Sequence, residues 1–491
     1  MRKHFFIFGI VATMFVNIAF AQIADINVME KKGTVLSKDF DINFIGCDGQ
    51  QSIFVQNTAL FRIGSGKRLG NKKVLVSYDM NQEELARVLL IENESNLKCY
   101  GGYLNGKNVD LLMVEKKDYN MRVYRDRRDF RSLEPKGAQQ VLAEFSGSKG
   151  DDLMFLCKTS PDGNLLAGLY VVDRENQNTE LQVALYNKEL DEYWKMDSRC
   201  RGLSFMHVTD SGEVLLGANT EDGKFRVFVI DGENEEMYDF DINTDNLSDV
   251  MVTDYADGKI FIAATHSNKD NSNSTISQAD YIMAICYNTR NHDVTTDKHF
   301  FTKEECNRMD NENDEKKIRK DDFRINYLCT KQTLPDKDGC YAMFDQSWIK
   351  AVNNVPSEYN RWGMMVARIN RNGKFEWVKI VRIANSCDYI SRTLIGYRWI
   401  PTDKGILLVW AANEKNESIP EEKQIKSLYV CNKKVNINML RMDSRGNETR
   451  QIYPLDSRYG LVGFPHYFGD NQYLLLISGA FKGVFATMKL K

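Results

Sequence analysis

The stretch FMHVTDSGEVLLGANTEDGKFRVFVIDGENEEMYDF, residues Phe205–Phe240, decides how the rest of the chain is interpreted. It contains four short runs of apolar, β-branched and aromatic residues, and each of its three polar turns contains a glycine. Such runs predict β-strands, and glycine provides the positive φ that tight turns between strands require. The stretch is therefore predicted to be one four-stranded antiparallel sheet, which cannot cover both of its own faces.

Copies of this unit recur along the chain. A turn rich in Asp, Asn or Gly is followed at once by an apolar strand, as in SPDGNLLAGLYV from Ser160 and TDKGILLVW from Thr402. These turns centre on positions 49, 106, 163, 212, 258, 339, 405 and 470, so neighbouring turns are 46–81 residues apart. Four strands repeated every 40–50 residues or so are typical of β-propellers, and longer intervals indicate insertions.

The predicted fold is all-β: a single β-propeller over residues 22–491 with eight blades. Seven blades is the alternative count, because the second repeat, Leu97–Leu133, matches the pattern least well. The eighth repeat has one strand fewer than the others. We expect the segment Ile26–Leu36, which precedes the first repeat, to supply that outer strand and close the ring, which also protects the edge of the sheet.

Several repeat units resemble those of exported bacterial β-propeller proteins. The units in question are the SPDG turn, RINRNGKFEWVKI from Arg368 and RMDSRGNETRQIY from Arg441. The resemblance covers nearly the whole chain after residue 21, and it implies an architecture without implying one activity. The repeats lack the WD dipeptide of WD40 proteins and the Asp box of sialidases, so the resemblance transfers no catalytic residue.

Residues 1–21 have the three parts of a secretory signal peptide. A basic start at residues 2–4 precedes the apolar run Phe5–Phe20, and Ala19-Phe20-Ala21 fits a cleavage site. The alternative is an uncleaved anchor, but the apolar run is short for a membrane span. We therefore expect an exported monomer, periplasmic or extracellular, with no membrane span after cleavage.

Composition narrows the classes of partner. The net charge of −3 gives no reason to expect binding to nucleic acid or to an anionic membrane surface. The 10 cysteines lie far apart and form no metal-binding motif. Buried free thiols are the favoured interpretation, with one or two disulfides left open.

Four long insertions are predicted, and all belong to blades five to seven: residues 267–279, 302–322, 347–362 and 412–434. Each lies between the second and third strands of a blade or between successive blades, and those connections share one end of a propeller. Insertions on one end often mark the binding face. The alternative is neutral variation, since surface loops tolerate extra length at little cost.

Candidate ligand-binding residues fall into two groups. Trp348, Tyr359 and Trp362 belong to the third insertion, where exposed aromatics suit contact with glycan or protein, or else fix the loop to its blade. His207 and His466 occupy matching positions in the first strands of blades four and eight, facing each other across the channel. Solvated or hydrogen-bonded channel histidines are favoured over a metal or acid–base pair.

The sequence contains no recognisable catalytic, metal-binding or cofactor-binding motif. We therefore expect an exported, non-catalytic propeller that binds a protein or glycan partner through its loop-rich face. The alternative function is a polysaccharide hydrolase or lyase with carboxylates at the channel mouth. A propeller fold alone does not distinguish the two.

Overall fold

The arrangement of the chain comes from a computed structural model. It describes the residues 23–29, 42–58, 61–62, 68–69, 72–79, 83–91, 96–160, 163–173, 179–201, 203–219, 224–240, 247–255, 259–267, 278–288, 290–291, 293–309, 323–352, 355–388, 397–419, 428–429, 435–455, 459–469, 471–479 and 483–491. The predicted signal peptide, residues 1–21, lies outside these ranges.

The first half of the chain forms four antiparallel sheets in succession, and each sheet is one blade. The strands of blades one and two are β2 (Ile42–Cys47), β3 (Gln51–Thr58), β6 (Lys72–Asp79) and β7 (Glu84–Ile91), then β8 (Leu97–Asn105), β9 (Asn108–Lys117), β10 (Asn120–Asp129) and β11 (Gln140–Ser146). Those of blades three and four are β12 (Asp152–Thr159), β13 (Leu165–Asp173), β14 (Thr179–Asn187) and β15 (Glu192–Ser198), then β16 (Leu203–Val208), β17 (Val214–Asn219), β18 (Phe225–Ile230) and β19 (Glu235–Phe240). A small hairpin, β4 (Phe61–Arg62) and β5 (Arg68–Leu69), joins β3 to β6.

The second half forms blades five to eight. The strands of blades five and six are β20 (Leu247–Tyr255), β21 (Lys259–Ser267), β22 (Gln278–Asn288) and β23 (Val294–Phe300), then β25 (Leu328–Asp336), β26 (Gly339–Val352), β27 (Val355–Asn370) and β28 (Phe375–Asp388). Those of blades seven and eight are β29 (Tyr397–Thr402), β30 (Gly405–Asn413), β32 (Val435–Met442) and β33 (Glu448–Pro454), then β34 (Tyr459–Gly469), β35 (Gln472–Gly479), β36 (Gly483–Leu490) and β1 (Ala24–Met29).

The ring closes through the N-terminal strand, as predicted. Strand β1 pairs antiparallel with β36, from Ala24 opposite Leu490 to Met29 opposite Phe485. The strand begins two residues before the predicted segment Ile26–Leu36, whose last residues lie outside the described ranges. Strand β2 of blade one contacts β34 of blade eight, so the first and last blades are neighbours. The prediction of an eight-bladed propeller is confirmed, and the seven-blade alternative is wrong.

A glutamine of blade seven fixes the start of the closing strand. The side-chain oxygen of Gln451 accepts hydrogen bonds from the backbone N–H of Ile23 at 2.6 Å and of Ala24 at 2.9 Å. Its side-chain nitrogen donates to the carbonyl oxygen of Ala24 at 2.7 Å. The amide thus satisfies backbone groups that would otherwise lie half-buried without partners, where each would cost stability.

The hydrophobic core is divided among the blade interfaces. In strand β13 of blade three, Leu166 and Tyr170 pack into a cluster shared with blade two. Leu169 and Val171 of the same strand pack into a cluster shared with blade four. This two-residue alternation is what a strand buried on both faces requires. The cysteines whose side chains are described are all free thiols, and most are buried in this core.

Tight turns at one end of the ring depend on glycine. Gly339 and Gly405 follow the first strands of blades six and seven with φ of +146° and +117°. A Cβ at Gly339 would lie 2.0 Å from the carbonyl oxygen of Ile369, and one at Gly405 would lie 2.1 Å from that of Met442. Both contacts are with backbone of the third strand, so no other residue fits at these turns.

The described parts of the predicted insertions lie at the other end of the ring. Residues 268–277, 310–322, 420–427 and 430–434 fall outside the described ranges. The second insertion begins with the helix α1 (Lys303–Met309) and ends before β24 (Ile325–Asn326), which pairs with β22 of blade five. The fourth contains a 3-10 turn (Glu414–Ser418) and β31 (Leu428–Tyr429), which pairs parallel with β28.

The third insertion, residues 347–362, differs from the long loop that we expected. Strands β26 and β27 continue through it and pair as far as Val352 opposite Val355. The physical reason is that its β-branched and aromatic residues favour a ladder that extends the existing hairpin. We call residues 347–362 the blade-six hairpin. Separately, no helix in the described ranges is long and apolar enough to span a membrane.

The closing strand gives a test of the fold. Ala24 is fully buried between blades seven and eight. We expect Ala24→Asp to lower the free energy of unfolding by about 3–5 kcal/mol, because it buries a carboxylate without a partner. Asp25→Asn is the matched control, since the exposed pair of Asp25 with Lys491 contributes at most about 1 kcal/mol. Urea titration measures both, and equal effects would contradict the observed closure.

Candidate functional site

The blade-six hairpin stands at the end of the ring that carries the insertions. Alternate residues of a strand point to opposite faces, so its two sides carry different side chains. One side faces blade five, where the Gln346 side chain donates a hydrogen bond to the carbonyl oxygen of Asn326 at 3.0 Å. The other side faces blade seven, where Arg361 lies over the ring of Tyr397 at 4.4 Å. The site is therefore built on strands that neighbouring blades hold in place.

Three aromatic residues cluster on the side that faces blade five. The rings of Tyr327 and Trp348 stack, with centroids 5.5 Å apart and planes inclined by 20°. Trp362 meets Trp348 edge-on, with centroids 4.0 Å apart. Trp362 falls at a bulge, since the pairing skips from Arg361 to Gly363. We call Tyr327, Trp348 and Trp362 the aromatic cluster; all three side chains are half-buried and retain exposed surface.

Tyr359 lies apart from the aromatic cluster, on the side that faces blade seven. Its hydroxyl accepts a hydrogen bond from Arg361 Nη2 at 3.1 Å. Its cross-strand neighbour is Ile349, whose side chain is 48% exposed. The structure thus brings together two of the three predicted aromatic residues, Trp348 and Trp362, and separates the third.

A buried ion pair anchors the hairpin to the blades. The Asp345 side chain is 1% exposed, and its Oδ2 lies 3.0 Å from Arg361 Nε. The hydroxyl of Tyr397, from the first strand of blade seven, donates to the same oxygen at 3.4 Å. Burial and the adjacent Asp345 carboxylate raise the pKa of Tyr397 well above its usual value, so the hydroxyl keeps its proton. The pair therefore joins two strands of blade six to blade seven.

One edge of the hairpin is open. Strand β25 pairs with β26 only from Asp336 to Leu328, which stands opposite Gln346. The backbone N–H of Ser347 still donates to the carbonyl oxygen of Tyr327 at 3.3 Å. Beyond this point no strand of the described ranges pairs with residues 348–352 on that side. Because β25 is the innermost strand of blade six, the open edge faces the central axis of the ring.

The two histidines that we singled out do not form a described pair. Strands β16 and β34 are the first strands of blades four and eight, as expected. His207 is 8% exposed, and its Nε2 has no hydrogen-bond partner in the described part of the chain. The side chain of His466 lies outside the described residues. Among the side chains that are described, no group of three or more His, Cys, Asp or Glu could hold a metal ion.

Sequence reasoning missed Tyr327, Asp345, Arg361 and Tyr397. One signal was available, because Asp345 directly follows the buried run Cys340–Phe344 in the same strand. An acid that continues a buried strand needs a cationic partner nearby. The partner could not be chosen from the sequence, because the bulge at Trp362 shifts the register that brings Arg361 to Asp345.

No family model matches this chain, and no curated protein matches it either. Among solved structures, it is similar to the WD40 domain of SCAP from fission yeast, with 10% identity over 95% of this chain and 97% of that one and a TM-score of 0.43. It is also similar to the β-propeller domain of the Trilobed protease from Pyrococcus furiosus, with 12% identity over 80% and 95% and a TM-score of 0.36. A Synechocystis apocarotenoid oxygenase mutant is similar with 8% identity over 88% and 93% and a TM-score of 0.36. Similarities at this level carry no information about function.

The ion pair gives a prediction about stability. We expect Asp345→Asn to lower the free energy of unfolding by about 3–5 kcal/mol, because Arg361 would remain buried without its counter-charge. Asp152→Asn is the matched control: its pair with Lys116 at 2.7 Å is well exposed and contributes at most about 1 kcal/mol. Equilibrium unfolding in urea compares the two variants, and a small loss in Asp345→Asn would show that the pair does not anchor the hairpin.

His207 gives a prediction about pH. Burial, with a smaller effect of Lys158, lowers the pKa of this side chain from 6.5 to about 4. The unfolded chain therefore takes up a proton that the folded chain refuses between these values, and stability falls as the pH drops through this window. The free energy of unfolding falls by about 3 kcal/mol as the pH drops from 6.5 to about 4. Above pH 6.5, His207 does not lower it.

The variant His207→Gln should lack this component of the pH dependence. The measurement is the free energy of unfolding of both proteins at several pH values from 7 down to about 4, because the difference between them isolates His207 from the carboxylates. Parallel curves for the two proteins would mean that His207 is accessible to protons in the folded state.

Proposed function

We propose that this chain is an exported, non-catalytic binding protein that holds an extended segment of a protein partner against the blade-six hairpin. The observation that supports this most directly is an open strand edge next to a half-exposed aromatic cluster. An added strand obtains its affinity from backbone hydrogen bonds along such an edge and its specificity from pockets for alternate side chains. The signal-peptide pattern of residues 1–21 supports export.

The side chains around the edge fit protein better than glycan. The aromatic cluster combines tryptophan and tyrosine, which are enriched at the energetic centres of protein interfaces. The exposed Ile349 adds apolar surface on the other side of the same strand, within reach of alternate side chains of an added strand. Lys350 is a charged edge residue of the kind that discourages copies of the chain from pairing with each other.

The hairpin is also held in position before any partner arrives. Its base is bonded to blade five through Gln346 and to blade seven through the Asp345–Arg361 pair and Tyr397. A binding surface that is already ordered loses less conformational entropy on association. This is the reason to assign binding to the hairpin.

The alternative function, a polysaccharide hydrolase or lyase, requires carboxylates that can exchange protons at the channel mouth. Among the described carboxylates, Asp345 lies in the second strand of blade six, at the base of the hairpin. It is buried and paired with Arg361. A carboxylate in this state is poorly suited to act as a general acid or base. The Asp345 carboxylate therefore gives no support to the enzymatic alternative.

The test is a selection of binders from a library of short displayed peptides, run beside a glycan array, with the chain lacking residues 1–21. We expect peptides that bind in an extended conformation, and Trp348→Ala should weaken their binding about tenfold or more. Tyr193→Ala is the matched control, because Tyr193 is an aromatic residue 61% exposed on the outer strand of blade three, and it should leave binding unchanged.

Three outcomes would contradict the proposal. Glycan binding without peptide binding would assign the face to the other class of partner. Peptide binding that survives Trp348→Ala would place the site elsewhere on the ring. Turnover of a polysaccharide by the purified chain would support the enzymatic alternative. The Trp348 ring is half-exposed, so the substitution should leave the fold intact, which circular dichroism checks.

A further inference from the structure

A second candidate site lies at the opposite end of the ring, between blades seven and eight. A cleft of about 440 Å³ opens there, beside the turn Pro401–Lys404 of blade seven and Asn471 of blade eight. This volume falls within the range of pockets that bind small molecules. The blade-six hairpin belongs to the other end, so the cleft is separate from the proposed partner-binding edge.

The lining of the cleft is about half apolar and half polar, and its charged side chains are mainly basic. Tyr473 and Leu490 from blade eight and Pro401 from blade seven form the walls, above the buried side chains of Ile23 and Leu407. The polar part of the lining consists of three cationic residues, one acid and two neutral residues: Lys404, Arg441, Lys491, Asp403, Thr402 and Asn471. A lining that combines apolar surface with convergent cations suits a ligand that has both an apolar part and a negative charge.

Arg441 is the unusual residue in this lining. It is half-buried in β32, opposite Leu407 in the sheet, and the described ranges contain no hydrogen bond or ion pair to its side chain. Lys491, in contrast, is paired with Asp25 at 2.9 Å. A guanidinium that faces a cleft without a carboxylate partner is suited to bind a planar oxyanion through two hydrogen bonds.

We propose that this cleft binds a small organic carboxylate with an apolar body, such as a medium-chain fatty acid. The carboxylate binds to Arg441 and Lys404 at the rim, and the apolar body packs against Pro401, Tyr473 and Leu490. Because these residues come from two blades, the ligand bridges blade seven and the closing blade. Binding therefore stabilises the closed ring in proportion to ligand occupancy.

The experiment measures hexanoate binding to the full chain by isothermal titration, together with the midpoint of thermal unfolding. We expect saturable binding and a rise in the midpoint. Acetate keeps the carboxylate but lacks the apolar chain, whereas 1-hexanol and hexylammonium keep the chain but lack the negative charge. Each should bind at least about tenfold more weakly than hexanoate. Equal binding of acetate or of hexylammonium overturns the proposal, as does the absence of binding for every carboxylate from hexanoate to decanoate.

Variants locate the site. Arg441→Met keeps the length of the side chain but removes its charge, and it should weaken hexanoate binding about tenfold or more. Lys404→Met, at an exposed position, should weaken it about threefold. The matched control is Arg445→Met, which removes an exposed arginine from the same blade, outside the cleft, and should leave binding unchanged. Unchanged binding in both Arg441→Met and Lys404→Met overturns the assignment.

Discussion

The burial of two apolar faces per blade is the constraint on which this structure depends. Each sheet alternates its side chains between two neighbours, as Tyr170 and Leu169 do on either side of blade three. A row of such sheets would leave one apolar face exposed at each end, and exposed faces of that size aggregate. Closing the row into a ring removes both ends. The pairing of β1 with β36, fixed by Gln451, therefore stabilises the whole molecule and not only blade eight.

The two ends of the ring differ in the kind of connection that they carry. At one end, the turns at Gly339 and Gly405 touch the backbone of the third strand so closely that even a Cβ has no room. At the other end, blade six extends into the blade-six hairpin, and surface connections accept added length at small entropic cost. The described parts of the insertions in blades six and seven lie at the end away from these glycine turns.

Much of the fold could be predicted from the sequence, because its determinants are local. The two-residue alternation and the glycine turns repeat in each blade, and they indicate both the blades and the missing outer strand. Less of the candidate site could be predicted from the sequence. Trp348 and Trp362 stood out as aromatics, but their mutual contact depends on a bulge, and the Asp345–Arg361 pair depends on a register across the hairpin. Neither a bulge nor a register shift leaves a clear mark in a single sequence.

A buried ion pair contributes little net stability compared with a well-packed apolar pair, so its presence under the blade-six hairpin calls for another reason. An apolar contact would tolerate sliding between the hairpin and blade seven. The Asp345 carboxylate, in contrast, accepts hydrogen bonds from Arg361 and Tyr397 in one arrangement, which fixes the angle at which the hairpin leaves the blade. The orientation of the open edge over the channel axis follows from that angle. The chain thus gives up some stability at this place for a fixed orientation of the open edge, which is the arrangement that the proposed binding requires.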